Sequence, residues 1–312
     1  MQQFAAYFGI DLIGFAILSN HFHLILRSRP VVVATRTDEE VARRWLMLCP
    51  HRRKADGSPM APTQPEIQSI AGGPIKREEI RKRLSSFSWW MRLLCQRVAM
   101  RANREDDQTG RFFQDRYHAT RLADEASLLA CAAYVDLNPI RAAMAETLEE
   151  SDHTSVHRRI KGLVSGACVS SDGGGDASGG GGEAHDGRSH RSTIVARRLR
   201  PSELIRAGCL RRAEPICDKG FLPMPIEDYL ELLDWTARQT APGKRGRTPA
   251  EIPPILVRLG LDRATWCELV SDFGRLFCCV AGRPACVDSM RCQRTHRRYH
   301  LRQCARELLT TD

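Results

Sequence analysis

Two histidines occupy alternate positions in Ser19-Asn20-His21-Phe22-His23-Leu24-Ile25-Leu26. In a strand, residues i and i+2 face the same side, so His21 and His23 would present two imidazoles on one face while Phe22, Leu24 and Leu26 pack on the other. Alone, a His-x-His strand is also an ordinary structural feature. The residues that could add chemistry lie far downstream, in Tyr134-Val135-Asp136-Leu137-Asn138-Pro139. Tyr134 and Asn138 are four apart in a helical pattern, which stacks them on one face with roughly 5–6 Å between Cβ atoms. Neutral imidazoles and an amide oxygen suit a divalent ion that polarises a phosphate oxygen. A phenol titrates near about 10 when unperturbed, so Tyr134 needs such help to act as a nucleophile at neutral pH. Tyr117 is the rival nucleophile, but it has no ligand partner at helical spacing.

The composition favours phosphodiester attack. The 312 residues carry a formal net charge of +10, which calls for an acidic partner, of which nucleic acid is the commonest. Six of the 47 basic residues are lysine. The arginine excess suits bidentate phosphate binding, and codon bias in a GC-rich genome would produce it equally. No apolar run of membrane-spanning length and no signal-peptide pattern occurs, so a cytoplasmic chain is expected, with its 12 cysteines as reduced thiols. No C-x-x-C pair occurs; Cys286, Cys292, His296 and His300 have only a faintly ligand-like spacing, and scattered thiols are the better reading.

These residues need elements to hold them. Gln2 to Phe8 reads as a helix closed by Gly9, Ile10 to Leu18 as a strand, Ser19-Asn20 as a turn, and His21 to Arg27 as the antiparallel partner ended before Pro30. A sheet domain that opens on a helix lacks a strand it would want, as from a late or truncated start at Met1. Capping boxes at Thr37–Glu40 and Thr63–Glu66 open two helices. Ile75 to Arg104 has no internal Pro or Gly and is expected to run as one long helix whose Phe87, Trp89, Trp90, Leu93, Leu94 and Val98 are core. Arg92, Arg97, Arg101 and Arg104 on it could line a phosphate track; a solvated face explains them nearly as well. Gly110 to Arg121 reads as extended. Asp124-Glu125 opens the helix that carries Tyr134, and Pro139 is expected to end or kink it near Asn138, with Tyr134 in its last turn and Arg141 just beyond, placed to meet a phosphate. A Gly/Ser-rich linker is expected over 165–192, followed by helical periodicity at Ile226–Gln239, Ala250–Gly260 and Arg263–Val280. Between Asp288 and Glu307 lie six arginines and no acid, either an arm for a phosphate backbone or a solvated tail.

Phe15 to Leu26, with its His-hydrophobic-His core, resembles the signature of the HUH single-tyrosine transposases. Gly110-Arg111-Phe112-Phe113-Gln114-Asp115-Arg116, together with Tyr134-Val135-Asp136-Leu137-Asn138-Pro139-Ile140-Arg141-Ala142, resembles the second signature of their REP-associated (RAYT) branch. The resemblance covers roughly 1–160. It implies an α+β fold, an antiparallel sheet flanked by helices with a ferredoxin-like core, over 1–164; composition and periodicity add the linker at 165–192 and a mostly helical basic region at 193–312. It implies a metal-binding transposase active in DNA transposition and recombination on single-stranded or hairpin DNA, as a homodimer. His21, His23 and Asn138 would hold Mg²⁺ or Mn²⁺. Tyr134 would attack the scissile phosphate to leave a 5′-phosphotyrosine link and a free 3′-hydroxyl, and Arg92, Arg97, Arg101, Arg116 and Arg141 would contact the DNA. A noncatalytic or domesticated DNA-binding protein of transposase descent stands as the alternative. A small-phosphoester metal hydrolase fits less well, because the arginine-rich surface would then be superfluous.

Overall fold

The computed structural model describes residues 2–169, 224–240, 253–293 and 299–310. These residues form an α+β chain dominated by helices, with two separate two-stranded sheets. They divide into two compact units, residues 1–15 with 21–121, and residues 16–20 with 122–312. None of their helices is long and apolar enough to cross a membrane.

In the first unit α1 (Gln2–Tyr7) leads through Gly9 into the hairpin of β1 (Ile10–Ile17) and β2 (Phe22–Ser28). Gly9 is required by contact rather than by its dihedral angle. A β-carbon there would lie 2.2 Å from Val33 Cγ2 and 3.0 Å from the Arg29 carbonyl oxygen. Asp11 on β1 accepts from Arg27 (3.0 Å) and Arg29 (3.2 Å), which fixes the hairpin register through charge-assisted bonds. Next come α2 (Pro30–Ala34), α3 (Asp38–Leu48) and α4 (Gln64–Ala71). The expected caps are present: the Thr37 hydroxyl accepts from Glu40 N at 3.2 Å, and Glu66 accepts from Thr63 N at 2.7 Å. The core gathers Phe4, Phe8, Val41, Leu46, Ile80, Leu84 and Trp90.

The single helix expected from Ile75 to Arg104 is in fact two, α5 (Pro74–Leu84) and α6 (Phe87–Glu105), parted by Ser85-Ser86. Tertiary donors take the carbonyls that would have continued it. Gly9 N donates to Leu84 O (2.8 Å) and Ser28 Oγ to Ser85 O (2.8 Å). Serine competes locally for backbone bonds, so the pair is where a helix gives way. Of the six residues expected in the core here, Trp90, Leu93 and Leu94 are buried, Phe87 and Val98 are exposed, and Trp89 is half-buried.

The second unit is built on α7 (Glu125–Arg141), which follows the short β3 (Arg121–Leu122). Around it are α8 (Ser155–Val169), α9 (Ile226–Thr240), α10 (Pro254–Arg258), α11 (Arg263–Ser271), α12 (Phe273–Leu276), β4 (Val280–Ala281), α13 (Pro284–Gln293) and α14 (Gln303–Leu308). The backbone of α8 thus runs five residues into the expected linker, and the rest of that linker lies outside the described residues. The periodicity expected over Arg263–Val280 resolves into α11, α12 and β4. Asp124 caps α7 by accepting from Ser127 N (2.8 Å), and it also accepts from Arg283 N (2.5 Å). Gly282, at φ 151°, permits that approach, since a β-carbon would fall 2.8 Å from Ala123 Cβ. The segment 110–120 is irregular rather than a strand, with β3 confined to its end.

Candidate functional site

The histidine pair belongs to the first unit. His21 is exposed just before β2 and His23 is half-buried within it, and their rings sit 5.0 Å apart at 90°. The alternation expected from the sequence is realised, because Phe22, Leu24 and Leu26 pack on the core while the imidazoles share the other side. Burial, reinforced by the neighbouring charge of His21, pushes the His23 imidazole down to about 4. It is therefore neutral at pH 7, the form that ligates a metal. Imidazole nitrogen donors suit a transition ion such as Mn²⁺ better than Mg²⁺, which prefers oxygen. Among the described residues no group of three His, Cys, Asp or Glu side chains that could hold a metal ion assembles.

The tyrosine group belongs to the second unit. Tyr134 and Asn138, both half-buried, lie one turn apart on α7. The Tyr134 ring stacks on Phe273, with centroids 5.8 Å apart and planes at 29°, and its hydroxyl lies beside Gly274, where an added β-carbon would be 3.7 Å away. Pro139 does not end the helix: α7 continues to Arg141, so Tyr134 stands well inside it rather than in its last turn. A proline this near a C-terminus removes one donor only, and Ala142 N still reaches Asn138 O (2.9 Å) while Met144 N reaches Pro139 O (2.8 Å). Arg141 is consequently the last helical residue rather than one beyond the end. Its guanidinium carbon is 5.7 Å from the Tyr134 ring centroid, and Nη1 donates to Val270 O (2.5 Å). Its Nε and Nη2 are buried without a hydrogen-bond partner among the described residues, and burial lowers its pKa against the opposing pull of Tyr134 and Asp272. A desolvated arginine with unspent donors beside a phenol can take an anionic oxygen.

No family model, curated protein or solved structure matches this chain. What the site can do rests on its own geometry.

The remaining arginines named from the sequence lie in the first unit. Arg101 is exposed and paired with Glu105 (2.7 Å), and Arg116 is exposed over the Tyr117 ring (5.8 Å). Arg97 is half-buried, donates to Leu48 O (2.5 Å) and lies over Phe4 (4.7 Å); burial lowers its pKa. Arg92 is exposed over Trp89 (5.1 Å). The rival nucleophile Tyr117 packs on the core and donates to Ser88 Oγ (3.2 Å). His296 of the faint Cys/His spacing lies outside the described residues.

Sequence reasoning passed over Asp136. It lies inside the Tyr134 motif, is 1% exposed, and accepts from Ser155 Oγ (2.6 Å), Tyr229 Oη (2.7 Å), Val156 N (3.2 Å) and Arg159 Nη1 (3.4 Å). Burial pushes its carboxyl up, and Arg159 and the hydrogen bonds work against that shift. Its role is to lock α7 to α8 and α9 behind the tyrosine. A charged residue two positions past Tyr134, on the opposite side of an apolar helix, was the available signal.

Proposed function

We propose that the chain is a tyrosine DNA strand transferase of the HUH single-tyrosine type, with a ferredoxin-like core, working as a homodimer on single-stranded or hairpin DNA. The observation that carries this is the histidine pair, two imidazoles held ring to ring with His23 neutral at pH 7. The Tyr134, Asn138 and Arg141 face of α7 supplies the second half of the required chemistry. His21, His23 and Asn138 would hold a divalent ion, which when bound supplies Lewis-acid polarisation of a nonbridging phosphate oxygen.

The protein's own residues do the rest. Tyr134 Oη attacks the scissile phosphorus, so that the Tyr–O–P bond forms as the P–O3′ bond breaks. The phenolic proton passes to solvent and the departing 3′ oxygen gains one, which leaves a 5′-phosphotyrosine and a 3′-hydroxyl. Reversal by a new 3′-hydroxyl rejoins the strand without ATP. Arg141, whose guanidinium carbon is 5.7 Å from the Tyr134 ring centroid, would lend its unspent donors to the charge that develops beside the tyrosine. Phe273 holds the ring against rotation.

The test is a denaturing gel of the full chain with labelled hairpin DNA and Mn²⁺. A protein–DNA adduct that disappears in Tyr134→Phe and with EDTA supports the reading, and an adduct that survives the substitution moves the role to Tyr117. The half-buried, stacked setting of Tyr134 also suits a structural ring in a noncatalytic DNA-binding protein. That second reading predicts salt-sensitive binding and no adduct under any condition.

A further inference from the structure

A face of the first unit concentrates positive charge on half-buried indoles. The Arg83 guanidinium carbon lies 4.3 Å from the Trp89 ring centroid and 5.3 Å from that of Trp45, and Arg92 lies 5.1 Å from Trp89. The two indoles meet edge to face at 5.7 Å. Arg53 and Arg97 add charge to this face: like Arg83 and Arg92 they act electrostatically on the Cys49 thiol, and Arg53 acts on Arg97. Among the described residues Arg83 pairs with Glu79, while Arg53, Arg92 and Arg97 have no carboxylate within ion-pair distance. Arg53 and Arg97 are instead tethered to the backbone oxygens of Gly57 (3.0 Å) and Leu48 (2.5 Å).

Like charges held together without counter-charges cost stability, and the usual return is an anionic partner. A guanidinium lying over an indole keeps its donor edge available for phosphate. Half-buried tryptophans rooted in the core offer rigid edges and faces on which bases stack. We propose that Arg53, Arg83, Arg92 and Arg97 with Trp45 and Trp89 form a binding site for single-stranded nucleic acid, phosphates on the arginines and bases on the indoles. This deepens the strand-transferase reading by naming where the strand is gripped, yet it requires no chemistry at Tyr134.

The chain carries its own reporter. Of its five tryptophans, Trp90 and Trp266 are fully buried and Trp235 is 4% exposed, so base stacking can reach only Trp45 and Trp89. The experiment titrates oligo(dT) into full-length Tyr134→Phe protein, reading intrinsic fluorescence and the anisotropy of labelled DNA over a salt series. Adduct formation by the unsubstituted chain is measured separately, so failure of the grip and failure of the chemistry are distinct results. Quenching on binding is expected. Arg53→Ala with Arg92→Ala, both at exposed positions, should lower the log–log salt slope by about 1.4, since each lost single-strand phosphate contact removes about 0.7. Affinity should fall about tenfold or more, and the Arg53→Lys, Arg92→Lys pair should keep the slope. Trp89→Leu should weaken binding by about 5- to 100-fold and remove most of the quench. Binding without quenching, an unchanged slope in the double alanine variant, an equal loss from the exposed Arg158→Ala on α8, or equal competition by polyphosphate of matched length would each overturn the site.

Discussion

Replacing Tyr229 by phenylalanine removes one oxygen from the place where Asp136 is held, and the consequence can be worked out bond by bond. The carboxylate keeps Ser155 Oγ at 2.6 Å, Val156 N at 3.2 Å and Arg159 at 3.4 Å, and loses only the 2.7 Å bond from the phenol. A hydrogen bond to a charged group is worth about 1.5–3 kcal/mol. Because Asp136 is 1% exposed, no water can replace the lost donor, so the upper half of that range, about 2–3 kcal/mol, is expected. Asp136→Asn should cost about 3–5 kcal/mol, since it leaves Arg159 without its counter-charge and turns an amide nitrogen toward donors. The double variant should fall well short of the sum, with a coupling of about 1.5–3 kcal/mol. Urea unfolding of the full chain at pH 7, followed by far-UV circular dichroism, measures all three. The slope m serves to check that the transition stays two-state. A Tyr229→Phe chain within about 0.5 kcal/mol of the parent would refute the view that α9 is bound to α7 through this carboxylate.

The His23 imidazole lies at about 4 rather than its ordinary 6.5, so the folded state prefers the neutral ring. The stability this confers is complete above pH 6.5 and is lost as pH falls toward 4, by about 2 kcal/mol once partial solvent screening is allowed for. His23→Gln should lack this part of the acid dependence when urea midpoints at pH 7 and pH 4.5 are compared, and an identical dependence in both chains would contradict it. Gly9→Ala must push Val33 and the Arg29 carbonyl aside, which should cost about 1–3 kcal/mol in the same assay; a neutral result would mean that α2 yields freely. Phe273→Ala removes a 5% exposed ring that stacks on Tyr134 and meets Phe277 at a tilt, and should cost about 3–5 kcal/mol. A cost below 1 kcal/mol would show that nothing holds the tyrosine ring there.

What the sequence disclosed follows from how local each signal is. The hairpin, the Thr37 and Thr63 caps and the Asp124 cap were legible because alternation and capping are decided within a few residues. The imidazole pair was legible for the same reason. The break at Ser85-Ser86 was not, since it depends on Gly9 and Ser28 arriving from far along the chain to take two carbonyls. Pro139 misled in the opposite direction: its local bias against helix is outweighed by the burial of α7, with Val135, Leu137 and Pro139 itself inside the core. The stacking of Phe273 on Tyr134 joins residues that no local pattern links, and the partner of Asp136 lies beyond the Gly-rich stretch. The indole and guanidinium face escaped notice because spacing alone cannot tell a half-buried tryptophan from a core one.

The arginine excess shows why net charge by itself does not locate a partner. Many of these residues are structural fasteners. Arg36 donates to Tyr7 O at the end of α1 and to Phe8 O just after it, and Arg44 reaches Ala6 O. Arg81 ties Val33 O to Asp38, and Arg27 and Arg29 both end on Asp11. Lysine could not do this work as well, because capping two carbonyls in a half-buried setting needs a planar head with several fixed donors. Charge committed in this way is largely neutralised or desolvated and offers little to a polyanion. What remains for binding is the less committed subset: in the first unit the exposed Arg53 and Arg92, which have no carboxylate within ion-pair distance among the described residues, and in the second Arg141, which keeps two nitrogens without a hydrogen-bond partner among them. Under the proposed strand-transferase reading, binding and chemistry are separable by substitution: Arg53 and Arg92 set the salt dependence of affinity, and Arg141 sets the rate of adduct formation once DNA is bound.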